Sequence, residues 1–210
     1  MSNEPRIETT SKIVSKISSQ IPVDGINFRE FFELIGEQGG LISCLILIAP
    51  FLFPVSIPGS SLPFGLVIIL INIGIITKTH PLIPKRVMDY KISQNSMLTI
   101  LNGMNRVLSG LEKFIKPRLT FLTNSPMDHV NNVIIIFCAS LLMLPLPVPL
   151  TDFLPAYSIL FLTLGSIEND GYLVLAGYSV AIITTIYFIL IALLGFAGIK
   201  ALFALLGITI

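Results

Sequence analysis

Leu144-Pro145-Leu146-Pro147-Val148-Pro149-Leu150-Thr151-Asp152-Phe153-Leu154-Pro155-Ala156 is the stretch on which the fold turns. It separates two apolar runs, Asn132 to Met143 and Tyr157 to Ile167, and Asp152 is the only charged residue between Val130 and Ile167. A carboxylate there costs about 2.5–3.5 kcal/mol if it faces lipid. Water, a partner or a substrate has to offset that cost. Upstream lies a counterpart, Ile57-Pro58-Gly59-Ser60-Ser61-Leu62-Pro63, also between apolar runs. Proline removes an amide donor and bars the continued helix, so each stretch reads as a break.

The surrounding composition belongs to a membrane protein. Only 12% of the 210 residues are charged and 53% are hydrophobic, with a mean hydropathy of +0.87; soluble domains carry about 25% charged residues. The net charge of +1 hides an excess of Lys and Arg over residues 78–129. No secretory signal is visible at the start, where acidic groups interrupt any apolar core. Cys44 and Cys138 lie inside apolar runs and read as small hydrophobes. His80 and His129 are far apart and lack metal-ligand spacing.

In chain order, residues 1–25 read as a flexible cytoplasmic tail, with Ile13, Val14, Ile17 and Ile21 allowing a weak amphipathic helix. Residues 26–210 form a single membrane domain. Asn27 and Glu30 make a capping-box pattern opening a helix whose Phe28, Phe31, Phe32 and Ile35 share one face. That face suits either the membrane interface or the protein's own surface. Gly39-Gly40 ends the helix. The first hairpin covers 41–77; its apolar arms are short for a hydrocarbon core needing about 20 residues, which suits a re-entrant form covered by protein or water. A basic linker, 78–129, carries an amphipathic helix over Met97–Ile115 and is expected on the cytoplasmic side. The second hairpin covers 131–167. Residues 171–210 hold one clean span, Gly171 to Ala192, followed by a final span or an interfacial tail, with Gly195, Gly198 and Gly207 permitting close packing.

The expected fold is therefore all-α: a polytopic helical membrane protein with two related helix–break–helix hairpins, amphipathic interfacial helices and a C-terminal transmembrane span. Leu62-Pro63 aligns with Leu154-Pro155 and sets Ser60 opposite Asp152. Pro58, Gly59, Pro63, Pro149 and Pro155 are the structural breaks. Paired interrupted segments in two halves point to a transporter-like site between them, and Ser60, Ser61, Thr151 and Asp152 are the candidate substrate-binding residues. Packing after an old duplication is the plainer alternative. Arg29, Glu30, Glu37, Arg118, Glu168 and Asp170 are candidate interface or anion-binding residues; solvated charges and turn capping are their alternatives.

Several blocks carry a family resemblance. Asn27 to Gly39 resembles "FRELLELLGERG", Ile57 to Ser60 a "PPG" break, Pro117 to Thr123 "PRLxWLT", Leu144 to Ala156 "LPLPFTNxLPA", and Glu168-Asn169-Asp170-Gly171 "ERDG". The chain is identified as a member of the exopolysaccharide-synthesis ExoD family of bacterial inner-membrane proteins, over about residues 25–195. Gln38 replaces the usual Arg, Asp152 stands where Asn is common, Phe121 replaces Trp and Asn169 replaces Arg. The resemblance implies a multi-pass inner-membrane protein linked to exopolysaccharide biosynthesis or export, without supplying a mechanism.

Motifs for nucleotide binding, serine hydrolysis and zinc proteolysis are missing, so no enzyme activity and no cofactor or metal is expected. Two functions remain. One is transport of a small anion, lipid or polysaccharide intermediate at the breaks, with Asp152 as a proton carrier. The other is a non-catalytic accessory or scaffold role in a polysaccharide-synthesis machine. Expected partners are the lipid bilayer, anionic lipids at the basic linker, and synthesis components; a homo-oligomer is compatible and nucleic acid is not expected.

Overall fold

The computed structural model describes residues 10–35, 39–52, 61–79, 85–89, 91–111, 113–144, 146 and 148–205. The described residues are mostly helical: α1 (Thr10–Ser18), α2 (Phe28–Ile35), α3 (Gly40–Ile48) with a 3-10 turn at Ala49–Leu52, α4 (Ser61–Thr77), the short α5 (Lys85–Met88), α6 (Gln94–Leu111), α7 (Met127–Leu142), α8 (Phe153–Glu168) and α9 (Gly171–Leu205). Two minimal strands, β1 (Ile26–Asn27) and β2 (Lys91–Ile92), pair antiparallel with Ile26 opposite Ile92.

The capping box forms as the sequence requires. The Glu30 backbone N–H donates to Asn27 Oδ1 at 2.8 Å, and the Asn27 N–H donates to Glu30 Oε2 at 3.0 Å. Gly40, expected to end α2, instead opens α3.

α3, α4, α7 and α8 make a ring in which α3 packs on α4 and α8, and α7 on α4 and α8. Three contacts fix the ends. Tyr157 Oη donates to the Leu52 carbonyl at 3.4 Å. A Cβ on Gly65 would lie 2.5 Å from Met143 Cγ. Cys44 Sγ accepts from Asn72 Nδ2 at 3.3 Å. The described residues that flank the two breaks, Leu52 and Ser61 on one side and Met143 and Phe153 on the other, therefore lie at one end of the ring, the break end. Gly40, Thr77, Met127 and Glu168 lie at the opposite, basal end. The hairpins are parallel to one another, not inverted.

α3 is buried from Ser43 to Ile48, and α8 buries Ala156, Ile159, Leu160, Leu162 and Leu164. A helix apolar on all sides is either a membrane span or a core helix; these two are enclosed by their neighbours.

The amphipathic helices lie along the ring. α1 packs on α6, and α6 reaches α3 and the Ala49–Leu52 turn. Met97, Leu101, Met104 and Leu108 of α6 are all buried, while Asn102, Arg106 and Ser109 face outward. The Phe face of α2 is occupied too: Phe28 sits edge-on to Phe64 at 6.0 Å, and Phe64 to Phe51 at 5.7 Å. The apolar faces of α2 and α6 are thus filled by protein, which for α2 is one of the two placements its sequence allows. From Thr10 to Ser18 the weak amphipathic helix that the sequence allows is formed: α1 buries Val14 and Ile17. The linker does not stay at one end. It leaves Thr77 at the base, reaches Arg29 through Asp89, and returns along α6.

α9 is a single helix of 35 residues, roughly 52 Å at 1.5 Å per residue. Among the described residues it is the one helix long and apolar enough to cross a membrane, by length and composition, over Gly171–Ala197. Tyr187 Oη donates to the Pro149 carbonyl at 2.5 Å, so the helix beyond Phe188 runs on past the break end. The expected separation of 193–210 into another span or a tail is corrected as far as Leu205. No proline interrupts it, and a Cβ on Gly195 would meet nothing within 4 Å.

Candidate functional site

The sequence points to two places, and the structure treats them differently. At the break end, Ser60, Pro58 and Gly59 lie outside the described residues. Ser61 is buried as the first residue of α4. Thr151 is buried and turned inward: its hydroxyl donates to the Val148 carbonyl at 2.8 Å and the Leu146 carbonyl at 3.4 Å. It satisfies the backbone that the prolines disrupt, a requirement of any non-helical segment away from water. Leu150 takes a left-handed conformation, φ +68°. Asp152 precedes the first residue of α8 and is half-buried. Pro63 and Pro155 are each the third residue of their helix, where a missing N–H costs no helical bond. The breaks are neighbours through Tyr157 and Leu52, but the described candidate residues do not converge on a shared cavity.

A groove does open beside the second break. It has a volume of about 410 Å³ and is lined by Phe137, Leu141, Leu144, Leu146, Phe188 and Ile189, among others. It is almost wholly apolar and lies between α7 and α9.

At the basal end, by contrast, the motif residues come together. Asp170 is 2% exposed. Its Oδ1 accepts the Tyr172 N–H at 3.0 Å, capping α9, and its Oδ2 accepts the Lys116 N–H at 3.0 Å. The Gly171 N–H donates to the Arg118 carbonyl at 2.7 Å. Gly171 is required by this approach, since a Cβ there would lie 2.5 Å from the Leu119 carbonyl oxygen. Leu119 and Asn169 both take left-handed conformations, φ +49° and +55°. Thr123 Oγ1 donates to Asn169 Oδ1 at 3.1 Å. Asn131 Nδ2 donates to the Leu122 carbonyl at 2.8 Å, and Tyr178 Oη donates to Asn131 Oδ1 at 2.5 Å. The segment 116–123 is thereby sewn to the α8–α9 turn.

The remaining candidates are also engaged. Glu168 Oε1 accepts from the Thr10 N–H at 3.1 Å and from the Thr10 hydroxyl, tying α1 to α8. The Arg118 guanidinium lies over the Tyr172 ring, 5.4 Å from its centroid, a cation–π geometry. It also donates to the Phe114 carbonyl at 3.2 Å. Arg29 pairs with Asp89 at 3.4 Å, both side chains being exposed; Glu37 lies outside the described residues. Glu30 belongs to the capping box. Of the capping and solvation expected of Asp170, the capping is found and the solvation is not: its carboxylate is a buried acceptor of backbone amides. Burial pushes the nearby Asp128 carboxyl up, opposed by His129 and by a hydrogen bond with Asn132. Among the described residues no group of three or more His, Cys, Asp or Glu side chains could hold a metal ion.

Sequence reasoning missed Asn131, Tyr178 and Thr10. Their one signal is polarity inside apolar or weakly amphipathic stretches.

The family described as "Exopolysaccharide synthesis, ExoD" matches residues 10–190. Protein ExoD of Rhizobium meliloti is 42% identical over 178 residues, which is 84% of this chain and 73% of that protein. An uncharacterised protein of Synechocystis is 25% identical over 174 residues, 82% of each chain. No solved structure matches. The blocks Pro117–Thr123 and Glu168–Gly171 meet at the base of the helical ring, and the family match extends through all of that ring. The chain belongs to the ExoD family of exopolysaccharide-synthesis proteins.

Proposed function

We propose that this protein is a non-catalytic, bilayer-anchored component of exopolysaccharide synthesis. The observation that carries the reading is the use made of the family-motif residues. Asp170, Gly171, Thr123 and Glu168, together with Asn131 outside the motifs, bind segments of the chain to one another at the root of α9. Their role is to hold that helix in a fixed attitude to the ring. α9 then supplies the anchor. Its side chains Ile182, Ile183, Ile186, Ile189, Leu190, Leu193, Leu194 and Phe196 are all more than half exposed. At about 25 cal/mol per Å² such a surface strongly favours a hydrocarbon medium. Val133 and Phe137 of α7 extend the same face, and the groove beside the second break has the lining to seat an acyl chain. The opposite face, on α1, α2 and α6, is polar and suits water or a partner of the synthesis machine.

A second reading is passage of a small anion, lipid or polysaccharide intermediate at the breaks. It is favoured by their convergence at one end. An internal repeat is favoured as well: shifting Ser61 and Pro63 by the Leu-Pro offset lands on Phe153 and Pro155, matching the helix starts. One experiment separates the two readings. In a strain lacking the gene, the full chain should stay with alkaline-washed membranes and restore polysaccharide. The Asp152→Asn chain should restore it equally under the accessory role, and poorly under proton-coupled passage. Recovery of the full chain in the washed supernatant would overturn the anchoring itself.

A further inference from the structure

The segment between α6 and α7 crosses the root of α9 with two kinds of side chain outermost. Ile115 and Leu122 pack inward. Lys113, Phe114, Lys116, Arg118 and Phe121 are exposed, Phe114 by 72% and Phe121 by 62%. Direct contacts hold this outward set against α9. The Lys116 N–H is bound by Asp170 and the Arg118 carbonyl by the Gly171 N–H. The Arg118 guanidinium donates to the Phe114 carbonyl at 3.2 Å and covers the Tyr172 ring at 5.4 Å. Phe114, Arg118 and Tyr172 therefore touch in series.

Tyr172 is also the basal end of an exposed stripe on α9. Tyr172, Leu175, Ser179, Ile182, Ile186 and Ile189 are all exposed and recur at intervals of three and four, which is one helical face. Leu193, also exposed, continues it to roughly 31 Å from Tyr172 at 1.5 Å per residue, against a hydrocarbon core about 30 Å thick. A lipid lying along this stripe brings its headgroup to the level of Arg118. The charge there is of one sign: residues 113–121 hold Lys113, Lys116 and Arg118 and no Asp or Glu. The carboxylates of the adjoining α8–α9 turn are already committed, Asp170 to two backbone amides and Glu168 to Thr10.

We propose that residues 113–121 form an anionic-phospholipid contact at the root of α9. Lys113, Lys116 and Arg118 meet the headgroup phosphates, and Phe114 and Phe121 enter the boundary between headgroups and acyl chains. The assignment rests on α9 being the bilayer anchor. Basic groups interleaved with exposed Phe are the composition of a segment lying in that boundary, and Lys and Arg keep their stems on apolar surface while the charge reaches the headgroups. The amphipathic stripe of α6 cannot make this contact, since Met97, Leu101, Met104 and Leu108 are buried. An acidic protein would answer the three charges equally well, but it would not account for the apolar stripe that begins at Tyr172 beneath Arg118.

The chain has no Trp, so Phe121→Trp and Ile186→Trp each give the full-length protein a single indole. Both chains are reconstituted in mixed vesicles of phosphatidylcholine and phosphatidylglycerol, with brominated acyl chains on one lipid or the other. Quenching over a range of lipid ratios yields the relative affinity for the two headgroups. The Ile186→Trp chain should be quenched by either brominated lipid. At position 121 phosphatidylglycerol should be preferred by at least about fivefold, the effect of one basic group at an anionic surface. Adding Lys113→Gln and Lys116→Gln should remove most of that preference while quenching at position 186 persists. Quenching at 186 without quenching at 121 would overturn this contact and leave the anchor standing. Equal affinity for the two lipids at 121, or a preference undiminished by the two Lys changes, would overturn the anionic selection. Protection at both positions would overturn the anchor, and this contact with it.

Discussion

Replacing Asp170 with alanine should be among the most damaging single changes at the root of α9. The carboxylate accepts two backbone N–H groups at 3.0 Å, those of Lys116 and Tyr172. Hydrogen bonds to charged groups contribute about 1.5–3 kcal/mol each, so the two together reach roughly 3–6 kcal/mol. Both donor residues are exposed, and water can replace part of what is lost, which brings the expected cost to about 3 kcal/mol. Capping of α9 lies within that figure, since a lost cap by itself costs about 1 kcal/mol. Asp170→Asn keeps one acceptor and turns an NH2 towards the other donor, so it should recover only about half of the loss. Denaturant unfolding in mild detergent measures the change. Hydrogen exchange at the Lys116 and Tyr172 amides locates it. A loss under about 0.5 kcal/mol, with both amides still protected, would refute the reasoning, because surface substitutions already account for that much.

Three further outcomes are expected. Gly171→Ala forces a methyl against the Leu119 carbonyl and should cost about 1–3 kcal/mol in the same unfolding assay, as overpacked sites do. Asn27→Ala should cost about 1 kcal/mol by removing half of the capping box, with the exchange of the Glu30 amide rising while α6 is unaffected. Asp128→Asn should raise the unfolding midpoint at pH 7 and leave it unchanged at pH 3. The folded-state carboxyl is raised, so this group disfavours the fold increasingly as pH climbs from its unfolded value, and the amide removes that dependence.

Local signals in the sequence carried through to the structure. The Asn27–Glu30 box needs only residues three apart, and it forms. The apolar stripe Met97, Leu101, Met104 and Leu108 follows helical period, and it is the buried face of α6. What period cannot reveal is which surface the stripe meets. For α2 and α6 that surface is the protein itself. The same blindness applies to α3 and α8, because uniform hydrophobicity describes a lipid span and a helix enclosed by its neighbours equally well. Asp170 reads as a turn residue that caps and is solvated; the local capping of Tyr172 forms, but its burial depends on Lys116, which is distant in sequence. Thr151 and Asp152 looked like a site because they are polar in an apolar run; for Thr151 the polarity serves the broken backbone.

The division of the molecule into a lipid-facing side on α7 and α9 and a polar side on α1, α2 and α6 is the claim on which the proposed function stands. Nitroxide labels at Ile186 and Leu190 on one side, and at Asn102 and Arg106 on the other, test it in reconstituted bilayers. Relaxation at Ile186 and Leu190 should be dominated by oxygen, and at Asn102 and Arg106 by a water-soluble nickel chelate. Access of the nickel chelate to Ile186 and Leu190 as free as its access to Asn102 would contradict the account.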